Sequence, residues 1–221
     1  PSVDFITSSN TNKKFAILGE KFDYIKQEGN LLFVGCSTTS GKLLTYTRNN
    51  DIANLEFLAK LPGNLGGLVK MNAGLKSWEM FNYINSIKTK DGYIKKEDVN
   101  FSYRETKIDT IIYEVVFNIE SGFCKEKLKE FNKMRDNQPH VPSAGSCFKN
   151  PKDDFAGRLI EAVELKGLRQ GDMSFSEQHA NFLVNNGAGT FEDAIYLIDL
   201  AKKKIKEEFS IDIEEEIIIY K

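Results

Sequence analysis

The sequence has few of the residues that build metal clusters or disulfide frameworks. Its 221 residues include three cysteines and two histidines. Cys36, Cys124 and Cys147 are too scattered in sequence to form a metal cluster, so no metal is expected. An odd number of cysteines suits a reducing compartment. No apolar run approaches the roughly 20 residues of a membrane span, and the chain does not open with a basic-then-apolar secretory pattern. These absences predict a soluble cytoplasmic protein.

A basic surplus and a nucleotide fingerprint are also missing. The formal net charge is −2, which argues against nucleic-acid binding dominated by phosphate contacts. A local basic pocket for a phosphorylated small molecule remains compatible with that charge. No G-x-G-x-x-G follows a strand, which excludes a Rossmann site. Hydrophobic residues make up 41% of the chain, enough for one large domain or two small ones.

The first half of the chain is predicted to form short strands, turns and one helix. Apolar or β-branched runs predict strands at 14–18, 30–35 and 110–119. The stretch "GKLLTYTRNN" follows Ser and Thr residues and predicts a capped helix. Leu43, Leu44 and Thr47 would line one face of that helix.

The second half is predicted to be mainly helical. Helices are expected over 125–138, over 154–165 with Phe155, Leu159, Ile160 and Val163 on one face, and over 190–209. Thr190 and Asp193 suggest a capping box for the last of these. Its predicted apolar stripe consists of Ala194, Leu197, Ile198, Ala201 and Ile205. A final strand is expected over 211–220. The pattern changes near residues 118–125, which predicts two lobes, 1–120 and 121–221.

Several candidate site residues keep two interpretations when taken alone. The glycines of "LPGNLGGLVKMNAG" let a backbone approach a phosphate, but tight turns explain them equally well. Arg104 could bind a carboxylate or form a surface salt bridge. His179 is expected to be packed and hydrogen-bonded. The run Ile217–Tyr220 is expected to be buried on both faces, with Glu216 half-buried beside it or at a solvated strand end.

Six segments together resemble one known family over nearly all of the chain. They are "LEFLAKLPGNLGGLVKMNAG", "FSYRET", "NQPHVPSAGSCFKNP", "FAGRLIEAVELKG", "HANFLVNNGAGT" and "EEEIIIY". The chain resembles the UDP-N-acetylenolpyruvoylglucosamine reductase family, also called UDP-N-acetylmuramate dehydrogenase. Of the six, "GSCFKNP" and "HANFLVN" are the specific motifs.

The resemblance implies an α+β fold in two lobes. Residues 1–120 would form an FAD-binding lobe of the vanillyl-alcohol-oxidase/PCMH type, and 121–221 an α+β substrate-binding lobe. The implied activity is FAD-dependent, NADPH-driven reduction of UDP-N-acetylglucosamine enolpyruvate to UDP-N-acetylmuramate. This is a cytoplasmic step of peptidoglycan precursor synthesis, and so of cell-wall growth, cell shape and division. No nucleic acid, membrane or obligate protein partner is implied.

The resemblance also implies roles for individual residues. Ser146 matches the family's general acid, and Arg104 and Glu216 match residues beside the substrate carboxylate. Lys149 and Asn150 match substrate-side residues suited to diphosphate or sugar. Cys147, next to Ser146, is interpreted as a packing residue. The FAD contacts implied by the family pattern are Ser37, Thr38, Gly63, Asn64, Gly66, Gly67, Asn72 and Gly74.

Two departures from the family pattern qualify these expectations. The short segment between Arg104 and Ser146 indicates the shorter subtype of the family. The family's amino-terminal strand-and-helix segment, with its Gly-Gly loop against the FAD diphosphate, is not found in residues 1–221. A truncated FAD lobe and a flavin-poor chain are therefore expected. The alternatives are an inactive fragment that only binds a nucleotide sugar, and another flavin oxidase of the same FAD fold.

Overall fold

The computed structural model describes residues 5–8 and 17–220, which form an α+β fold as predicted. Its helices are α1 Ser40–Asn49, α2 Leu65–Lys70, α3 Lys125–Met134, α4 Ala156–Ala162 and α5 Phe191–Phe209. Its strands are β1 Phe5–Thr7, β2 Ile25–Glu28, β3 Leu31–Gly35, β4 Gly74–Leu75, β5 Trp78–Glu79, β6 Ile84–Thr89, β7 Gly92–Lys95, β8 Phe101–Ser102, β9 Glu105–Thr106, β10 Glu114–Asn118, β11 Ser143–Ser146, β12 Arg169–Gln170, β13 Met173–Phe175, β14 Phe182–Asn185 and β15 Ile218–Tyr220.

The described residues divide into two compact units. The first contains residues 17–136, and the second contains 137–220 together with 5–8. Residues 121–136 therefore group with the first unit, although the predicted lobe boundary assigned them to the second. The reason is α3, because its buried Phe131 packs edge-on against Trp78 with ring centroids 5.0 Å apart. The functional assignment of the lobes stays a prediction.

The first unit is built on a five-stranded antiparallel sheet in the order β2-β3-β10-β6-β7. Alternate residues such as Leu32, Val34, Val115 and Phe117 are fully buried in its core, as expected for a sheet with one apolar face. Helix α1 is capped by Thr39, whose hydroxyl accepts from the Lys42 N–H at 3.2 Å. This confirms the predicted Ser or Thr cap.

The second unit is built on a four-stranded antiparallel sheet in the order β11-β14-β13-β12. All five residues of the predicted apolar stripe of α5 are buried in its core. The capping box of α5 is also present, with Thr190 and Asp193 bonded to each other's backbone N–H. Local sequence therefore specifies this helix completely.

Several details differ from the sequence-based expectations. The helix expected over 125–138 ends at Met134, and the helix expected over 154–165 covers Ala156–Ala162. Phe155 is 67% exposed, because it is the N-cap residue of α4 and lies before the first helical turn. The last strand covers only 218–220, and Ile218 is 38% exposed, so the run Ile217–Tyr220 is not buried on both faces. The strand expected over 110–119 begins at Glu114. Most of the strand expected over 14–18 lies outside the described residues, and Ile17 and Leu18 are not in a strand.

Candidate functional site

Ser146 ends strand β11, and Cys147 follows it with the opposite environment. Ser146 pairs with Phe182 of β14, after an irregularity at which Gly145 adopts φ 82°. Ser146 is half-buried, whereas Cys147 is fully buried. Burial raises the pKa of the Cys147 thiol, and the nearby carboxylates of Glu215 and Glu216 add to the shift. The thiol is therefore a neutral packing group, as predicted, and the hydroxyl is the more accessible proton donor of the two.

Asn181 of the "HANFLVN" motif fastens the segment that follows Ser146. Its backbone carbonyl accepts from the Cys147 N–H at 2.6 Å. Its side chain accepts from the Phe148 N–H at 3.0 Å and donates to the Phe148 carbonyl at 2.8 Å. Asn181 is 4% exposed, so it substitutes for a strand partner in the interior. The sequence reasoning missed this positioning residue, although its place in a specific motif was a signal.

His179 supports Asn181 and has no catalytic arrangement. Its Nδ1 accepts from the Asn181 N–H at 3.3 Å, and its ring lies edge-on to Phe182, with centroids 5.0 Å apart. Burial lowers the pKa of His179, so the neutral ring is favoured. The expectation of a packed, hydrogen-bonded histidine is confirmed.

The segment Glu214–Glu216 borders the other side of the Ser146 segment. The Glu216 N–H donates to the Cys147 carbonyl at 2.9 Å, and Phe148 pairs with Glu215 in an antiparallel bridge. Glu216 is half-buried, as predicted. Glu215 is bonded to Lys202 at 2.9 Å. The chain thus brings Ser146 and Glu216 onto neighbouring backbone segments although they lie far apart in sequence.

Lys149 and Asn150 continue directly from this segment. The Lys149 ammonium lies 3.5 Å from a Glu214 carboxylate oxygen, and 22% of its side chain is exposed. The Asn150 side-chain oxygen accepts from the Ala156 N–H at 3.0 Å, which bonds one of the first N–H groups of α4. Both residues are ordered by these contacts, beside the predicted general acid.

Arg104 lies in the first unit, in a turn with φ 57°. Its guanidinium donates to Glu79 at 3.1 Å and to the Gly74 carbonyl at 2.9 Å, and it stacks on the Tyr103 ring at 4.7 Å. The side chains of Arg104 and Glu79 are only 11% and 18% exposed. This ion pair is more buried than the surface salt bridge considered from the sequence, so the arginine is held in a defined orientation.

The two helix starts of the glycine-rich region pair with each other. Thr39 and Asn64, the N-cap residues of α1 and α2, form an antiparallel bridge. Its flanking bonds join the Ser40 N–H to the Gly63 carbonyl and the Leu65 N–H to the Thr38 carbonyl, at 3.0 and 2.9 Å. In a bridge of this kind the N–H groups of the paired residues themselves point outward. The N-cap residues of α1 and α2 therefore lie side by side, with their own N–H groups directed to opposite sides of the bridge.

The predicted FAD-contact glycines differ in what surrounds them. A Cβ on Gly66 would meet the Cys36 Cβ at 3.2 Å, and one on Gly74 would clash with the Trp78 carbonyl oxygen. A Cβ on Gly67 would meet nothing within 4 Å. Gly63 has φ 115°, which favours glycine. Gly74 is therefore required by packing, Gly66 is closely packed against Cys36, and Gly67 borders open space.

The polar residues predicted to contact FAD are engaged within the protein. The Ser37 hydroxyl donates to the Leu18 carbonyl at 2.7 Å, and the Thr38 hydroxyl donates to Asp23 at 3.1 Å. Asn72 is fully buried, and its side chain bonds Glu79, the Ser102 carbonyl and the Phe81 N–H. Through Glu79, Asn72 is part of the same network as Arg104. Their contacts with a cofactor stay predictions.

The predicted site residues are distributed over both units. Ser146, Lys149, Asn150 and Glu216 belong to the second, and Arg104 and the eight candidate FAD contacts belong to the first. Within the part of the chain that the structure describes, no group of three or more His, Cys, Asp or Glu residues could hold a metal ion. Nor does any described helix have the length and apolarity to cross a membrane.

Comparison with known proteins gives the same family by three routes. A family model described as UDP-N-acetylenolpyruvoylglucosamine reductase, C-terminal domain, matches residues 137–220. A relative from Helicobacter hepaticus named UDP-N-acetylenolpyruvoylglucosamine reductase is 46% identical, over 94% of this chain and 79% of the relative. A relative of that name from Campylobacter jejuni is 44% identical, over 94% of this chain and 82% of the relative.

A solved structure agrees with these sequence matches. It is described as the crystal structure of UDP-N-acetylenolpyruvylglucosamine reductase from Thermus caldophilus. It is 30% identical to this chain, with a TM-score of 0.81 over 92% of this chain and 76% of that one.

Proposed function

The chain belongs to the UDP-N-acetylenolpyruvoylglucosamine reductase family, and from that premise we propose that it reduces UDP-N-acetylglucosamine enolpyruvate to UDP-N-acetylmuramate, with FAD as cofactor and NADPH as hydride donor. The observation that carries the proposal is that hydrogen bonds from Asn181 and Glu216 hold the segment that follows Ser146. This chain is also 46% identical to a protein named as such a reductase. The proposed activity belongs to cytoplasmic peptidoglycan precursor synthesis.

Ser146 is the proposed general acid. The chemistry that FAD supplies when bound is the transfer of hydride from NADPH to the terminal alkene carbon of the substrate. That addition leaves negative charge on the adjacent carbon and its carboxylate. The Ser146 O–H then donates a proton to that carbon, and the serine regains a proton from water. A hydroxyl is a weak acid in water, but a carbanion is basic enough for a positioned O–H to suffice.

Arg104 and Glu216 are proposed to act on the substrate carboxylate. A guanidinium fixed by Glu79 and a backbone carbonyl is already oriented, so little reorganisation is needed when charge develops on the substrate. Glu216 helps if it is protonated or shares a proton, because a carboxylate beside a carboxylate would be repulsive. Lys149 and Asn150 are proposed to contact the diphosphate or sugar.

The glycine-rich region of the first unit is the proposed FAD site, through Ser37, Thr38, Gly63, Asn64, Gly66, Gly67, Asn72 and Gly74. Support comes from the N-terminus of α1, which is held beside the glycine-rich segment by the Thr39–Asn64 bridge, since the N–H groups at a helix N-terminus favour phosphate. The open space at Gly67 leaves room for a ligand to approach the backbone. The residues present therefore fit a dinucleotide diphosphate.

An anaerobic half-reaction tests the proposed function. NADPH should bleach the flavin absorbance of the holoenzyme, and the enolpyruvyl nucleotide should restore it without oxygen. Re-oxidation by oxygen alone would favour a flavin oxidase of the same fold. A protein that binds the nucleotide but shows no flavin bands after incubation with FAD would favour a nucleotide-sugar-binding protein.

A further inference from the structure

Arg135 is a buried cation whose guanidinium is only partly satisfied by the described residues. It follows the last turn of α3 and is only 5% exposed. Its Nε and Nη2 are closed off from solvent, and neither finds a hydrogen-bond acceptor among the described residues. Buried guanidinium groups in proteins are normally paired with carboxylates or carbonyls, because leaving a buried charge uncompensated is costly. Such a group is a candidate for binding an anion.

The charged neighbour that acts on Arg135 is another cation. Burial, with the Arg104 guanidinium adding to it, lowers the pKa of Arg135 to about 10, so the side chain remains charged at neutral pH. Glu79 bonds Arg104 at 3.1 Å. Two nitrogens of the Arg135 guanidinium thus stay without an acceptor among the described residues while the side chain keeps its positive charge.

We propose that Arg135 is an oxyanion-binding residue, and that a carboxylate or phosphate group of a ligand accepts hydrogen bonds from its unsatisfied guanidinium nitrogens. An oxyanion supplies both the missing acceptor and the missing negative charge, and guanidinium binds such groups bidentately. The arginine side chain has several rotatable bonds, so a small rotation turns its N–H groups toward the ligand.

The candidate ligands that could supply the oxyanion are those of the proposed function, and the inference rests on that function for their identity. They are the carboxylate of the enolpyruvyl nucleotide, the diphosphate of that nucleotide, and the diphosphate of FAD. A purely structural role is the competing explanation, because a cation near the C-terminus of α3 interacts favourably with the helix dipole. The two explanations predict opposite effects on the ligand-free protein.

Arg135→Met removes the charge and keeps an apolar side chain. Arg48→Met is the matched control, since Arg48 is an exposed arginine in the last turn of α1. Without ligand, R135M should unfold at the same or a higher urea concentration than the wild type, because a buried unpaired cation is removed. A lower midpoint that Arg135→Lys restores would show a structural charge and would overturn the inference.

Binding identifies the oxyanion. FAD is titrated into apoprotein by flavin fluorescence, and the enolpyruvyl nucleotide and UDP-N-acetylglucosamine into oxidised holoenzyme by calorimetry. R135M should bind at least one of them about tenfold to a hundredfold more weakly, as expected for losing a charged hydrogen bond, while R48M binds normally. A loss for FAD alone indicates its diphosphate. A loss for both nucleotides indicates their diphosphate, and a loss for the enolpyruvyl nucleotide alone indicates the carboxylate.

Equal affinities of R135M and wild type for all three ligands would reject the inference and leave the proposed function standing. If the wild type binds neither FAD nor the enolpyruvyl nucleotide, it is the proposed function that fails. The inference is then judged by pyrophosphate and pyruvate as probes. At least one of them should raise the melting temperature of the wild type and not that of R135M, and equal responses would reject it.

Discussion

At the scale of single residues, two adjacent side chains at the end of β11 have different chemistry because they face different surroundings. Ser146 is half-buried and Cys147 fully buried. The thiol is the stronger acid in water, but burial raises its pKa. Environment and orientation, rather than intrinsic acidity, therefore favour the serine as proton donor.

Ser146→Ala should separate the two half-reactions. Flavin reduction by NADPH should remain nearly intact, whereas transfer to the enolpyruvyl nucleotide should fall by roughly 10²–10⁴-fold, as is typical for a lost general acid. Stopped-flow absorbance measures both rates. Ser143→Ala, on the same strand, is the control and should leave both rates unchanged. Equal losses in both half-reactions of S146A would show that Ser146 is structural.

Gly66 and Gly67 allow a matched test of the proposed FAD loop. Gly67→Ala meets no atom within 4 Å, so the apoprotein should be slightly stabilised, by roughly 0.5–1 kcal/mol for Gly→Ala within a helix. FAD should nevertheless bind more weakly if its backbone contact needs that space. Gly66→Ala meets Cys36 at 3.2 Å and should lower stability itself. Fluorescence titration and urea unfolding measure the two effects, and unchanged FAD affinity in G67A would remove Gly67 from the site.

At the scale of elements, the edge strands of the first sheet are tied to its centre through one carboxylate. Glu114 lies on β10 and accepts from the hydroxyls of Tyr24, just before β2, and Tyr93, on β7, each at 2.6 Å. The bond to Glu114, together with burial, raises the pKa of Tyr93 to about 12. The three side chains therefore connect the two edge strands, β2 and β7, to the central strand β10.

Removing either hydroxyl should loosen that link. Tyr24→Phe should lower the free energy of unfolding by about 1.5–3 kcal/mol, the range for a hydrogen bond to a charged group. Tyr93→Phe should have a smaller effect, because Tyr93 is 52% exposed. Urea denaturation measures both. Tyr196→Phe on α5, 53% exposed, is the control, and an effect of Y24F no larger than that of Y196F would contradict the tie.

Helix α4 should contribute an acid-sensitive part of the stability. The Asp154 carboxylate accepts hydrogen bonds from the Arg158 guanidinium, at 2.7 Å, and from the Phe155 N–H. These bonds lower the pKa of Asp154 to about 2. Since the folded pKa lies below the unfolded one, this contribution is present above about pH 4 and is lost as the pH falls toward 2. Asp154→Asn should thus be less stable than wild type at pH 6, and the two should converge near pH 2. Asp199→Asn, exposed on α5, should follow the wild type throughout; parallel curves for D154N and wild type would refute the assignment.

At the scale of the whole molecule, the two compact units have separate hydrophobic cores. Residues proposed to contact FAD lie in the first, and Ser146, Lys149 and Asn150 lie in the second. Amide hydrogen exchange tests whether FAD binds the first unit and the enolpyruvyl nucleotide contacts the second. FAD should slow amide exchange at 37–41 and 63–74, and the enolpyruvyl nucleotide should slow it at 146–150. Protection by FAD confined to the second unit would reverse the assignment of the lobes.

The sequence by itself determined the features that depend on neighbours along the chain. Helix α5 follows from a capping box and a stripe with helical spacing, and both are local properties. The motifs "GSCFKNP" and "HANFLVN" were enough to indicate the family. Cys147 could be interpreted as a packing residue because alternation on a strand is also local.

Tertiary structure alone decided what depends on residues far apart in sequence. The hydrogen bond between Glu216 and Cys147 and the burial of Arg135 have no local signature, and the motif that contains Asn181 does not reveal its bonds to Phe148. The same holds for α3, which joins the first core through Phe131 and Trp78. Hydrogen bonds and burial depend on which surfaces meet, and periodicity specifies only which face of each element is apolar.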